Sequence, residues 1–216
     1  MIKAIIMDID GTLLDSMSIW QDLGKRYLET LGIKAEDQLS EILFPMSNDE
    51  AIHYLKEHYH LIQSKKEIQN GLIKELKTFY LYQVQLKSGA QNFLSFIEQH
   101  HIPLVFATTG HLKLVQKALE RLQVSHYFQH AYACPTKRTP DIFLKIANDL
   151  NLNRHDILVV EDTYVAIKSA KNASFLVAHI YDEANQKDND AIKDIVDYDA
   201  MNFYELTNQL KEGNIL

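Results

Sequence analysis

Two carboxylates one residue apart, Asp8 and Asp10, end an apolar run over residues 2–7 and precede Gly11-Thr12. A carboxylate can act as a nucleophile and form an aspartyl-phosphate. A second carboxylate two residues further on lies on the same side of an extended segment. There it can serve as a general acid and then as a general base. Other polar groups end similar runs. Thr108 and Thr109 follow residues 104–107, and Glu161 and Asp162 follow residues 157–160. Lys137 stands just before Thr139-Pro140-Asp141, which reads as a helix start with Thr139 as N-cap. Four carboxylates meeting in one crevice would repel each other. A hard cation relieves that, and Mg2+ takes one or two carboxylates plus phosphate oxygens. Lys137 and Thr108 then suit a phosphate dianion.

The elements that must position these groups are of two kinds. Short continuous apolar runs at 2–7, 104–107, 157–160 and 175–178 predict strands buried on both faces of a parallel sheet. Leu112, Val115, Leu119 and Leu122 share a helical face, as do Phe143, Ile146, Ala147 and Leu150. Ala166, Ala170 and Ala173 form a small-residue stripe that lets a helix lie close to a sheet. Strand and helix alternate from about residue 102, the pattern of a doubly wound α/β domain. In such sheets ligands bind beyond the carboxyl ends of the strands, where all the polar groups above stand.

Residues 16–83 break the alternation. Trp20, Leu23, Tyr27 and Leu31 predict one helix, Ala51, Ile52, Leu55 and Tyr59 a second, and Ile68, Leu72, Leu76 and Phe79 a third. The expected organisation is therefore an α/β core made of 1–15 and 84–216, with an all-helical insert over 16–83.

Composition narrows the function classes. With 22 basic and 29 acidic residues the net charge is −7, and no long basic run offers a nucleic-acid footprint. The lone Cys134 has no disulfide partner in the chain and fits a reducing compartment. The run at 4–7 is cut by Asp8, too short for a signal peptide core, and no run approaches a membrane span. The expectation is a cytoplasmic monomer acting on a small molecule, without nucleic acid or membrane.

The segment Asp8-Ile9-Asp10-Gly11-Thr12-Leu13-Leu14-Asp15-Ser16 resembles the first motif of the haloacid dehalogenase-like superfamily. Thr108 at a strand end matches the second motif. Lys137-Arg138-Thr139-Pro140-Asp141-Ile142-Phe143 matches the third, usually Lys-Pro-x-Pro-Asp-x-Phe, and Glu161-Asp162-Thr163 the fourth. The resemblance implies a Rossmann-like core with a helical cap inserted after the first motif, and Mg2+-dependent phosphoryl transfer through a phospho-aspartate. It casts Asp8 as nucleophile and Asp10 as acid and base. Thr108, Thr109 and Lys137 hold the phosphate. Asp8, the backbone carbonyl of Asp10 and Asp162 ligate the metal, with Glu161 in the outer shell. Asp10 speaks against dehalogenation, because members with that activity lack an acid there.

Within the superfamily the chain is similar to the phosphatases grouped with beta-phosphoglucomutase, including Asp15-Ser16-Met17-x-x-Trp20 and Tyr181-Asp182-Glu183. The mutase carries a histidine where this chain has Trp20. The loop Phe44-Pro45-Met46-Ser47-Asn48 lacks the arginine that grips a second phosphate. Hydrolysis of a small phosphomonoester, such as a sugar phosphate, is thus expected ahead of mutase activity or a non-enzymatic binding role. The segment between Phe128 and Lys137 is shorter than usual, and Ala166 replaces a customary glycine. Trp20 and Met46 are candidates for the substrate pocket. His53, His58 and His60 read as surface residues, His111 as a helix-start residue and Cys134 as structural.

Overall fold

The computed structural model describes residues 1–43 and 46–213. Its strands are β1 (Ala4–Met7), β2 (Leu14–Asp15), β3 (Gln85–Leu86), β4 (Leu104–Thr108), β5 (His130–Ala133), β6 (Ile157–Glu161), β7 (Leu176–Ile180) and β8 (Tyr198–Ala200). Among the described residues six of them form one sheet in the order β5-β4-β1-β6-β7-β8. Every pairing in it is parallel. The chain runs outward from β1 through β4 and β5, then returns to the other side of β1 as β6, β7 and β8. The strand order therefore reverses around β1, which is where an open α/β sheet makes its ligand crevice.

The sequence of β1, Ala-Ile-Ile-Met, is buried throughout because both faces of the sheet are covered. On one face Ala4, Ile6, Val105, Val159 and Val177 meet Phe143 and Ile146 of α7 (Asp141–Asp149) and Ala166, Ile167 and Ala170 of α8 (Tyr164–Asn172). The small-residue stripe Ala166, Ala170 and Ala173 lies inside this core. The alternate residues Ile5, Met7 and Val160 point the other way and are equally buried. Helix α5 (Ala90–Gln99) and the last helix, α9 (Phe203–Glu212), meet through Phe93 and Phe203, whose rings lie 5.0 Å apart.

The chain divides into two compact units, residues 1–15 with 85–216, and residues 16–84. The second unit is helical among its described residues: α1 (Met17–Thr30), α2 (Leu39–Leu43), α3 (Asn48–His58) and α4 (Lys65–Thr78), followed by a π-helical turn over 79–83. Tyr27, Leu28, Leu39, Ile52, Leu55, Leu61 and Ile68 make its own core. Capping boxes start α3 (Ser47 with Glu50) and α4 (Ser64 with Glu67). A Cβ at Gly71 would lie 2.2 Å from Tyr27 Cε2, so α4 carries a glycine where the tyrosine ring presses on it.

Several elements depart from the sequence reading. The short helix α2 and the strands β5 and β8 carry no apolar run. Thr139 does not cap α7: Pro140 holds that position, and the Thr139 hydroxyl donates to Asp141 instead (2.8 Å). No helix among the described residues is long and apolar enough to cross a membrane.

Candidate active site

The site is built at the carboxyl ends of β1, β4 and β6. Asp8 directly follows β1, and its N–H donates to Val160 O at 2.9 Å, continuing the strand pairing by one residue. The chain then curls tightly. The N–H groups of Leu13 and Leu14 both donate to Ile9 O (3.0 and 2.8 Å), and Gly11 N–H donates to Leu14 O (3.1 Å). Gly11 has φ of +84°, a conformation that side chains disfavour, so the motif needs glycine there. The curl continues into the antiparallel pair β2–β3, where Leu14 faces Leu86 and Asp15 faces Gln85.

The turn brings Asp10 to the end of β4. A Cβ on Gly110 would lie 2.7 Å from Asp10 Oδ2 and 3.2 Å from Thr108 Oγ1, so these two functional groups flank one glycine. The buried Thr108 hydroxyl accepts from Gly110 N–H at 2.9 Å. Thr109 is exposed beside it.

Lys137 reaches the same place from the segment after β5. Cys134 N–H donates to Thr108 O (3.1 Å), which extends the β4–β5 pairing, and the short segment then delivers Lys137 to Asp8. The Lys137 ammonium donates to Asp8 Oδ1 and to Glu161 Oε1, the latter at 2.6 Å. Asp162 sits one residue beyond β6. Its Oδ1 accepts from the Thr12 hydroxyl (3.1 Å) and its Oδ2 from the Asn185 amide (2.7 Å). Asp8, Glu161 and Asp162 each bring a carboxylate oxygen within 4.8 Å of the others, and all three are buried. Among the described residues this is the one acidic, histidine or cysteine grouping of that kind.

The charges are unbalanced. Burial pushes the Glu161 carboxyl up to about 7, and Asp8 adds to the rise against the pull of Lys137. Burial, then Asp8 and Glu161, push Asp162 well above the usual carboxylate range. Burial alone would lower the Lys137 ammonium, but Asp8 and Glu161 outweigh it and hold it above its ordinary value. Three buried carboxylates face one buried cation, an excess of negative charge that a divalent ion would offset. These residues therefore fit a hard, oxygen-loving metal.

The structure thus gathers Asp8, Lys137, Glu161 and Asp162 in one cluster and sets Asp10 and Thr108 around Gly110. Trp20 and Met46 belong to the helical unit. Trp20 is half-buried on α1. Met46 borders an open hollow of about 790 Å3 within that unit, shared with Glu50, Tyr54, His53, His58 and His60. There His58 pairs with Glu36 (3.3 Å) and stacks on Tyr54. In the loop 44–48, Phe44 and Pro45 lie outside the described residues. His111 is exposed at the start of α6 (Leu112–Arg121). Burial pushes the Cys134 thiol up, away from thiolate chemistry. Sequence reasoning missed Thr12, Gly110 and Asn185 as partners of the site. Thr12 was within reach, since it lies inside the first motif.

The family model for haloacid dehalogenase-like hydrolases matches residues 5–180. A phosphorylated carbohydrates phosphatase of Thermotoga maritima is 23% identical over 175 residues, 79% of this chain and 81% of its own. The beta-phosphoglucomutase of Bacillus subtilis is 24% identical over 190 residues, 82% of this chain and 83% of its own. Among solved structures, a Thermotoga maritima protein provisionally assigned as a beta-phosphoglucomutase superposes with a TM-score of 0.87. It is 23% identical and covers 98% of this chain and 99% of its own. CbbY of Rhodobacter sphaeroides in complex with phosphate gives 0.74 at 20% identity, covering 95% and 96%.

Proposed function

The chain belongs to the haloacid dehalogenase-like hydrolase family, and on that premise we propose that it is a Mg2+-dependent phosphatase of small phosphomonoesters, working through a phospho-aspartate. The observation that carries this reading is the Lys137 ammonium bridging Asp8 and Glu161 beside Asp162. It supports the reading by setting a carboxylate that could act as nucleophile, a buried cation and an excess of carboxylate charge in one place.

On this reading an Asp8 oxygen forms the new bond to phosphorus as the bond from phosphorus to the leaving oxygen breaks. Asp10 gives its proton to that leaving oxygen. Water then attacks the same phosphorus, Asp10 takes the water's proton, and the Asp8–phosphorus bond breaks to release phosphate. The cation of Lys137 offsets the repulsion between the anionic nucleophile and the anionic substrate. Thr108 and Thr109 bind phosphoryl oxygens. Asp8, the backbone carbonyl of Asp10 and Asp162 would hold Mg2+, with Glu161 in the outer shell. When bound, the ion supplies positive charge for the phosphoryl oxygens.

The helical segment 16–83 is then the cap of the family plan, with Trp20 and Met46 as pocket residues. The chain works as a cytoplasmic monomer that needs neither nucleic acid nor membrane. The named Thermotoga maritima relative acts on phosphorylated carbohydrates, which supports a sugar phosphate as substrate.

A mutase reading has support of the same weight from the Bacillus subtilis relative. Against it stand Trp20 at the mutase histidine position and a cap loop without arginine. A screen of phosphorylated metabolites with Mg2+ separates the two. Phosphate release from a sugar phosphate is expected. Interconversion of hexose phosphate isomers faster than phosphate release would favour the mutase.

A further inference from the structure

Asp162 differs from its neighbours in how its charge is met. Asp8 and Glu161 share the Lys137 ammonium, whereas the hydrogen bonds to the two Asp162 oxygens come from neutral donors, the Thr12 hydroxyl and the Asn185 amide. A neutral donor fixes the plane of a carboxylate without spending its charge. Opposite a carboxylate, which only accepts, the asparagine must present its nitrogen.

The turn that carries Asn185 is itself tied down. Asp182 starts a 3-10 helix over residues 183–188, and its Oδ1 accepts from Ala184 N–H at 2.9 Å. Asn185 N–H donates to Asp182 O at 3.0 Å. The other Asp182 oxygen pairs with Lys87 at 2.8 Å, and the same ammonium donates to Tyr181 O at 2.7 Å. Both side chains of this pair are nearly buried, 12% and 8% exposed. Lys87 directly follows β3, and its N–H donates to Leu13 O at 2.9 Å. The Tyr181-Asp182 pair, noted in the sequence without a role, thus braces a turn whose outward product is one amide nitrogen aimed at Asp162.

We propose that Asn185 is a positioning residue for Asp162, holding that carboxylate oriented for a divalent cation, with Lys87 and Asp182 as its brace. This rests on the reading of Asp162 as a metal ligand given above. Hydrogen-bond partners of metal-ligating side chains are typically worth 10–100-fold in metal affinity.

The test is the affinity of the full-length protein for Mg2+, measured by isothermal titration calorimetry without substrate, together with the rise in Tm that saturating Mg2+ produces. Asn185→Ala is expected to raise the Mg2+ Kd about tenfold or more and to shrink the Mg2+-induced Tm rise at a fixed, subsaturating concentration. Gln186→Ala, an exposed neighbour on the same turn, is expected to leave both unchanged. A role confined to holding the turn would lower Tm equally with and without Mg2+ and leave Kd alone. An Asn185→Ala Kd within twofold of wild type overturns the inference while leaving the phosphatase reading intact. A wild-type protein that binds no Mg2+ overturns both.

Discussion

The Asp10 carboxylate occupies space that any side chain at position 110 would need: a Cβ there would lie 2.7 Å from Asp10 Oδ2. The same Cβ would crowd the Thr108 hydroxyl at 3.2 Å. One missing methyl group therefore lets the acid after β1 and the hydroxyl at the end of β4 stand side by side.

Gly110→Ala is accordingly expected to displace Asp10 rather than unfold the chain. A displacement near 1 Å at a reacting group costs about 100-fold. Steady-state kinetics should show kcat down by about 10–100-fold, with Tm within a few degrees of wild type. Unchanged kcat would mean that Asp10 does not need its present place.

Asp10→Asn keeps the nucleophile but removes the proton donor and acceptor. With an aryl phosphate, whose leaving group needs little protonation, the first step survives and the second stalls. Rapid-mixing experiments are expected to show a burst of about one equivalent of aryl alcohol per enzyme, then turnover slowed about 10²–10⁴-fold. Linear kinetics at the wild-type rate would remove Asp10 from the mechanism.

Lys137→Met leaves Asp8 and Glu161 without their buried counter-charge. Breaking a buried ion pair by removing one partner costs about 3–5 kcal/mol. Urea unfolding in a chelator should show a loss of that size, and Mg2+ should recover part of it. A loss below about 1 kcal/mol, as for exposed pairs, would show that Lys137 is not held among the acids.

The acids themselves make the metal-free protein sensitive to pH. Glu161 rises from its ordinary 4.5 to about 7 on folding, and Asp162 rises in the same direction. The folded chain thus binds protons more tightly than the unfolded one. The stability that these protons contribute is full below the ordinary carboxylate range and is lost as pH rises through the folded values. In a chelator, Tm is expected to fall between about pH 5 and 7 by about 3–5 °C per pH unit for each proton involved. Glu161→Gln should flatten the slope, and saturating Mg2+ should nearly abolish it by holding the acids ionised in the folded chain. A Tm rising with pH in the metal-free wild type would contradict the cluster's electrostatics.

The parts of this architecture that were legible in the sequence are those carried by local pattern. Four apolar runs became β1, β4, β6 and β7 because a strand buried on both faces needs apolar residues without a break. Asp8 and Asp10 were marked by spacing, and Glu161 and Asp162 by ending such a run. Strand β5, His-Ala-Tyr-Ala, was not legible, because it is an edge strand whose residues are half-buried or exposed. The three-residue β8 lies at the opposite edge and is equally short of signal. Gly110 and Asn185 meet Asp10 and Asp162 from far along the chain, 100 and 23 residues away, and no periodicity reports such contacts. Thr139 misled because its hydroxyl satisfies the Asp141 side chain rather than a helix N–H. Trp20 and Met46 carried no spacing signal that separates a pocket role from packing within the helices.

The central claim is that Asp8 attacks phosphorus in a Mg2+-dependent hydrolysis. It is tested most directly by phosphate release from an aryl phosphate, comparing wild type and Asp8→Asn, each with Mg2+ and with a chelator. Release by the wild type that needs Mg2+ and falls by at least about 10³-fold in Asp8→Asn is the expected result. Release that survives in Asp8→Asn at the wild-type rate would contradict it.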